Sequence, residues 1–271
     1  MLGLDVRGAT EDAGHEAIAL SRVQLDVTDG GAVATAVREA APDAVINCAA
    51  WTAVDRAESE PDEATAVNGA GAGNVAAAAA SAGAWLIHVS TDYVFDGDKT
   101  SPYVESDPVG PVSAYGRSKL EGERAVAAAA PDQHTIVRTA WLFGAGGNCF
   151  PKTILRAASE RPELSVVCDQ IGCPTFTGHL AAALLGLAER RTPGVLHVAG
   201  AGQCSWHEFA AATVAAGDLD CPVRPITTAE YPLPARRPAN SVLISERGAP
   251  ALPDWRTGLA ALMSELAGVG A

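Results

Sequence analysis

From residue 15 to about residue 143, short apolar runs of β type alternate with alanine-rich runs of helical type, and this alternation constrains the fold more than any other feature of the chain. A sequence that reads strand, helix, strand in this way winds a parallel sheet with helices on both faces. The β candidates are "HEAIAL" (15–20), "DAVINCAA" (43–50), "AWLIHVST" (84–91) and "HTIVRTAWLF" (134–143), each ending where small or polar residues begin. Between them, "GAVATAVREAAP" stops at a proline, "VNGAGAGNVAAAAASAG" stops at Gly83, and "SAYGRSKLEGERAVAAAAP" runs up to Pro131. The alanine runs at 76–80 and 127–130 read as close-packed helix faces. In such a doubly wound α/β sheet, ligands settle beyond the carboxyl ends of the strands, so "CAA", "STD" and "TAW" are expected to converge on one crevice. After about residue 145 the alternation loses its regularity and prolines multiply, which predicts a smaller second lobe.

The helix beginning near residue 114 carries Tyr115 and Lys119, four positions apart and therefore on one face. An ammonium beside a phenol stabilises the phenolate, which makes the tyrosine a usable proton donor to a carbonyl. A surface tyrosine packing on a lysine stem has the same spacing, so the pair gains weight only from its surroundings.

The opening "MLGLDVRGATEDAGHEAIAL" reads as a helix followed by the first β candidate. A dinucleotide fold normally opens with a strand that runs into a glycine-rich turn, whose N–H groups approach a pyrophosphate. Gly3 reads as the last glycine of such a turn, and the expectation is a Rossmann-like sheet lacking its first strand, with a reduced phosphate cradle. At the end of "HEAIAL", Ser21 and Arg22 stand where an acidic side chain would hold a ribose 2′-hydroxyl, which favours a 2′-phosphate and hence NADPH over NADH.

Charge and composition narrow the partners. A net charge of -13 with no basic block repels a polyanion, so nucleic acid is not an expected partner. No apolar run approaches the length of a membrane span, and no signal peptide is readable, so a cytoplasmic protein is expected. The six cysteines form no C-x-x-C pair and read as buried thiols, and the histidines form no ligand cluster, so no metal site is expected.

Seven segments together carry a family resemblance: "LDVTD" (25–29), "NCAAWTAVDRAESEP" (47–61), "HVSTDYVFDG" (88–97), "YGRSK" (115–119), "VRTAWLFG" (137–144), "DQIGCPT" (169–175) and "RPANSVL" (237–243). The chain resembles, over nearly its whole length, the dTDP-4-dehydrorhamnose reductases of the extended short-chain dehydrogenase/reductase superfamily. The resemblance implies residues 1–145 as an NAD(P)-binding Rossmann-like domain and 146–271 as mainly a substrate-binding lobe. It implies Tyr115 as general acid, Lys119 as holder of the nicotinamide ribose and tuner of the phenol, and Thr91 as the third catalytic hydroxyl. Leu2, Gly3, Ser21, Arg22, Asp26, Val27, Ala49, Ala50, Thr52 and Ser90 fall to the cofactor, although Asp26 reads equally as a helix N-cap. Tyr93, Trp141, Arg237 and Asn240 fall to the substrate, with Arg237 placed to pair with a nucleotide diphosphate and Trp141 reading equally as a core residue.

The implied reaction is NADPH-dependent reduction, with NADH as the other candidate, of the C4 ketone of a dTDP-linked 4-keto-6-deoxyhexose by a monomer or homodimer. Two alternatives stand beside it. One is a reductase of another dTDP-4-keto sugar, of dihydrostreptose type; the other is a non-catalytic NADP-binding regulatory subunit.

Overall fold

Parallel strands buried on both faces need apolar side chains at consecutive positions, and three of the four β candidates form strands. The computed structural model describes residues 1–269. The chain runs α1 (Leu2–Asp12), α2 (Gly30–Ala40), β1 (Ala44–Asn47), α3 (Val54–Ser59), α4 (Pro61–Thr65), a π-turn at Ala66–Ala70, α5 (Gly71–Ser81), β2 (Trp85–Thr91), α6 (Ala114–Ala129), β3 (His134–Thr139) and the short β4 (Leu142–Phe143). It continues through α7 (Phe150–Glu160), β5 (Leu164–Val167), β6 (Ile171–Gly172), β7 (Thr175–Phe176), α8 (Thr177–Arg190), β8 (Gly194–His197), β9 (Cys204–Ser205), α9 (Trp206–Ala216), β10 (Val223–Ile226) and α10 (Trp255–Val269).

β1, β2, β3 and β8 form one parallel sheet in that order. Neighbouring residues on a strand face opposite sides, and the core divides accordingly. Ile87, Val137 and Leu196 pack with Leu2 and Val6 of α1 and Leu180, Leu184 and Leu187 of α8. Leu86 and Ile136 pack with Val33 and Val37 of α2, Val75 and Ala79 of α5, and Val126 of α6. The alanine run of α5 is a close-packed face, with Ala76 and Ala79 fully buried. This is the expected doubly wound α/β architecture.

The segment 15–20 departs from expectation, since it forms no strand. A strand needs a neighbour for its backbone N–H and C=O groups. β1 is an edge strand whose one ladder is with β2, and 15–20 makes no ladder with it. Ile18, Leu20 and Val23 are exposed as a result.

Beyond β4 the chain builds a side layer and then returns. β5 pairs in parallel with β10, and Leu164, Ile154, Ala210 and Val214 form their own small core with α7 and α9. α8 and β8 go back to the main sheet, so residues 177–197 belong to it by packing. The single bridge Tyr103↔Leu243 then stitches the late chain onto the loop following β2, and Ile171↔Asn240 stitches it onto β6. Among the described residues no helix is long and apolar enough to cross a membrane.

Candidate active site

The ends of β2 and β3 lie side by side, which sets Thr91 beside Thr139 on one rim, while β1 ends three residues lower with Asn47 opposite His88. Helix α6 starts at this rim. Its N-cap Ser113 accepts a hydrogen bond from Gly116 N (3.1 Å), fixing the first turn that carries Tyr115. Two glycines let the helix approach at backbone distance. A Cβ on Gly116 would lie 2.2 Å from the Tyr93 carbonyl oxygen, and one on Gly122 would lie 2.1 Å from that of Asn68.

Tyr115, Lys119 and Glu123 occupy positions i, i+4 and i+8 of α6, a single buried stripe. The Tyr115 phenol meets the Thr91 hydroxyl, which donates to the Asp92 carboxylate (3.0 Å). Tyr93 closes the other side, its ring edge-on to Tyr115 with centroids 5.6 Å apart. Thr91, Tyr115 and Lys119 are therefore gathered at one place, with Tyr93 beside them.

The electrostatics differ from the sequence expectation in one respect. Burial pushes the Tyr115 phenol up to about 12, the Thr91 hydroxyl pulls it partly back, and the Asp92 carboxylate pushes it further up. The Lys119 ammonium donates to the Val89 carbonyl of the β2 backbone (2.7 Å). The result is a phenol that stays protonated across the working pH range, the form a proton donor requires. Burial in turn pulls Lys119 down to about 8, against the opposing pull of Glu123 and, more weakly, Cys48. Asp92 is pushed up to about 6 by burial, against the hydrogen bonds of Ser241 and Thr91.

The remaining residues singled out in the sequence are placed as follows. Ser90 is buried but donates to Glu123 (2.6 Å), so its hydroxyl is committed inside the protein instead of to a cofactor. Leu2 lies on the first turn of α1 with its side chain in the core, so it offers a cofactor no side chain; Gly3 lies beside Cys48, which follows β1. Met1, the N-cap of this eleven-residue helix, makes no side-chain capping hydrogen bond. Ala49, Ala50 and Thr52 form the loop after β1, braced by Asn68. The Asn68 side chain accepts from Trp51 N (2.8 Å), and it donates to Trp51 O (3.1 Å) and to the Ser118 hydroxyl of α6 (2.9 Å).

Ser21 and Arg22 sit in an exposed turn, where Ser21 donates its hydroxyl to Gln24 (2.8 Å). Asp26 accepts from the backbone and hydroxyl of Thr28 (2.9 and 2.8 Å), which hold its carboxyl below the usual range. The N-cap of α2 is Asp29, so Asp26 is a turn residue and not the cap. Val27 packs against Gly71 of α5.

On the side expected for substrate, Trp141 adopts φ +46°, a strained conformation for a bulky side chain, and stacks on Trp206 with centroids 3.4 Å apart and planes 4° apart. The apolar plane here is thus built by two tryptophans, the second invisible to motif reading. Arg237 is bound bidentately to Asp55 (3.0 and 2.7 Å), a residue of α3, so its guanidinium bridges two distant segments. Asn240 donates to the Lys99 and Ser101 carbonyls (2.7 and 3.1 Å) and accepts from Val242 N, which makes it a brace of the loop after β2.

Comparisons with known proteins show the family. Residues 1–267 match the family described as RmlD substrate binding domain. A dTDP-4-dehydrorhamnose reductase of Sinorhizobium fredii is 48% identical over 239 residues, covering 84% of this chain and 80% of that protein. One of Mycolicibacterium smegmatis is 46% identical, covering 96% and 81%. Among solved structures, a dTDP-4-dehydrorhamnose reductase of Clostridium acetobutylicum superposes with a TM-score of 0.94 at 41% identity, covering 98% of this chain and 96% of that one. That of Bacillus anthracis, solved in complex with NADP, superposes with a TM-score of 0.94 at 37% identity, covering 97% and 95%. A Tyr–Lys stripe at the strand ends, matched along the whole chain to these enzymes, places the protein in the dTDP-4-dehydrorhamnose reductase family of the short-chain dehydrogenase/reductase superfamily.

Proposed function

We propose that this protein reduces the C4 ketone of dTDP-4-dehydro-L-rhamnose to dTDP-L-rhamnose with NADPH, in the cytoplasm. The observation that carries the reading is the Thr91–Tyr115–Lys119 constellation on the strand-end rim, beside the uncapped N-terminus of α1. The residues present fit a nicotinamide dinucleotide. The α1 N–H groups suit a phosphate, Lys119 has further N–H donors beyond the one given to Val89 for ribose hydroxyls, and exposed Arg22 suits a 2′-phosphate. When bound, the cofactor supplies a hydride to the ketone carbon.

The chain's own residues do the rest. Tyr115, protonated and beside Thr91, delivers its proton to the ketone oxygen as negative charge grows there, and Thr91, turning its one proton from Asp92 to the substrate, donates a second hydrogen bond to the same atom. Tyr93 and the Trp141–Trp206 plane hold the hexose so that its carbonyl faces Tyr115. Residues after 145, apart from α8 and β8, supply the sugar-nucleotide side. Tyr115→Phe tests the assignment: turnover of the keto sugar, followed by NADPH absorbance, falls at least a hundredfold while dTDP-sugar binding stays within about threefold. Retention of more than about a tenth of the rate removes Tyr115 from its role. Offering other dTDP-4-keto sugars in the same assay selects among substrates.

A further inference from the structure

Below Lys119 the α6 stripe continues to Glu123, which the proposed reaction does not use. Its carboxylate accepts bidentately from Arg138 of β3 (Nε 2.9 Å, Nη2 2.7 Å) and from the Ser90 hydroxyl of β2 (2.6 Å). All four side chains are buried. Two cations and one anion are thereby sealed behind the sheet, and a buried charge persists only where another offsets it.

The surroundings of the Lys119 ammonium single Glu123 out. Tyr115 on α6 is a neutral phenol, and Cys48 after β1 is a thiol that burial pushes up to about 12. His88 on β2, hydrogen-bonded to Asn47 and near His134, is held neutral by burial and by Lys119 itself. Arg138 on β3 points its guanidinium into Glu123 and over the Phe95 ring, 5.2 Å from its centroid. Glu123 is the one carboxylate among these groups, one helical turn from Lys119.

We propose that Glu123 is a positioning residue which, clamped by Arg138 and Ser90, keeps the Lys119 ammonium charged at neutral pH and thereby fit to hold the cofactor ribose. This rests on Lys119 having the catalytic place assigned above. The Ser90 and Arg138 bonds hold that carboxylate inside the protein, one helical turn from the lysine.

The test replaces the pair so that no charge is left stranded. Glu123→Gln alone orphans Arg138 and risks unfolding, so Glu123→Gln/Arg138→Gln, which keeps amide hydrogen-bonding groups at both positions, is the principal variant. Arg138→Gln alone, in which Glu123 remains, is the control. The alkaline limb of kcat/KM is expected to move down by one pH unit or more in the double variant, with about a tenfold loss at pH 8 that recovers at pH 6. The control keeps its limb at the wild-type position or above.

Lys99, Lys119 and Lys152 are the only lysines of the chain, so a titration of 13Cε-labelled lysine by NMR reads Lys119 directly, assigned by loss of its signal in Lys119→Met. The Lys119 midpoint is expected to fall by at least one pH unit in the double variant. A midpoint that does not move, or a rate loss equal at all pH values with the limb in place, overturns the proposal. A protein that turns over no keto sugar, yet whose Lys119 midpoint falls, overturns the proposed reaction and leaves the charge coupling standing.

Discussion

Lys119→Met isolates the energetic cost of the catalytic ammonium. Lysine ordinarily titrates at 10.5, and burial brings Lys119 down to about 8. At about 1.4 kcal/mol per pH unit, the charged side chain costs the folded state about 3 kcal/mol at neutral pH. Methionine fills similar space without charge but forfeits the hydrogen bond to the Val89 carbonyl, worth about 1 kcal/mol. Glu123 keeps its pair with Arg138. The net expectation is a gain of about 2 kcal/mol at pH 7, or a rise in Tm of roughly 5 °C for a chain of this length, together with loss of turnover. The pH dependence fixes the cause. Between about 8 and 10.5 the unfolded wild type still binds the proton that the folded wild type has released, so wild-type stability rises with pH in that window. The advantage of the variant therefore shrinks as pH climbs through it. Urea unfolding of both proteins at pH 7 and pH 9.5 measures the difference. A variant less stable than wild type at pH 7, or an advantage of equal size at both pH values, refutes the reasoning.

Three further changes follow from the same geometry. Asp92→Asn removes a carboxyl that burial raises from 3.8 to about 6; the folded wild type holds its proton longer than the unfolded chain, so wild-type stability falls as pH rises through that window. The variant is expected to be more stable by about 2 kcal/mol at pH 7.5 and equal at pH 4 by denaturant midpoint, and a pH-independent difference counts against the burial cause. Gly116→Ala drives a methyl into the Tyr93 carbonyl 2.2 Å away, so unfolding free energy is expected to fall by about 2–4 kcal/mol and activity with it, as Tyr115 shifts; an unchanged urea midpoint and rate would show that the first turn of α6 is free to move. Asp55→Asn leaves Arg237 without its charged partner across the chain, and a loss of about 1 kcal/mol is expected from this half-exposed pair. A loss that persists undiminished in about 1 M salt indicates lost packing and not lost charge.

How far the sequence could be read depends on the range of each interaction. The strands at 43–50, 84–91 and 134–143 were legible from short apolar runs such as "AVI" and "WLI". "HEAIAL" has the same local character and forms no strand, since pairing is a property of the neighbour and not of the run. Tyr115 and Lys119 were legible as a shared helix face, and the same periodicity extended one turn further to Glu123. What the spacing did not contain was the orientation of the ammonium, which the Val89 carbonyl on another element decides. The rise of the tyrosine is likewise set by burial, which periodicity does not show. Arg237 shows the same limit, for its basic character was visible while its partner Asp55 lies far upstream on α3. Asn68 left no periodic signal at all, because a π-turn interrupts the helix where it clamps the loop after β1. The chemistry of the site is thus written in local spacing, whereas the charge states that operate it are set by non-local carbonyls and counter-ions. Glu123 joins the two levels, since its place in the stripe is local and its fixed charge depends on β2 and β3.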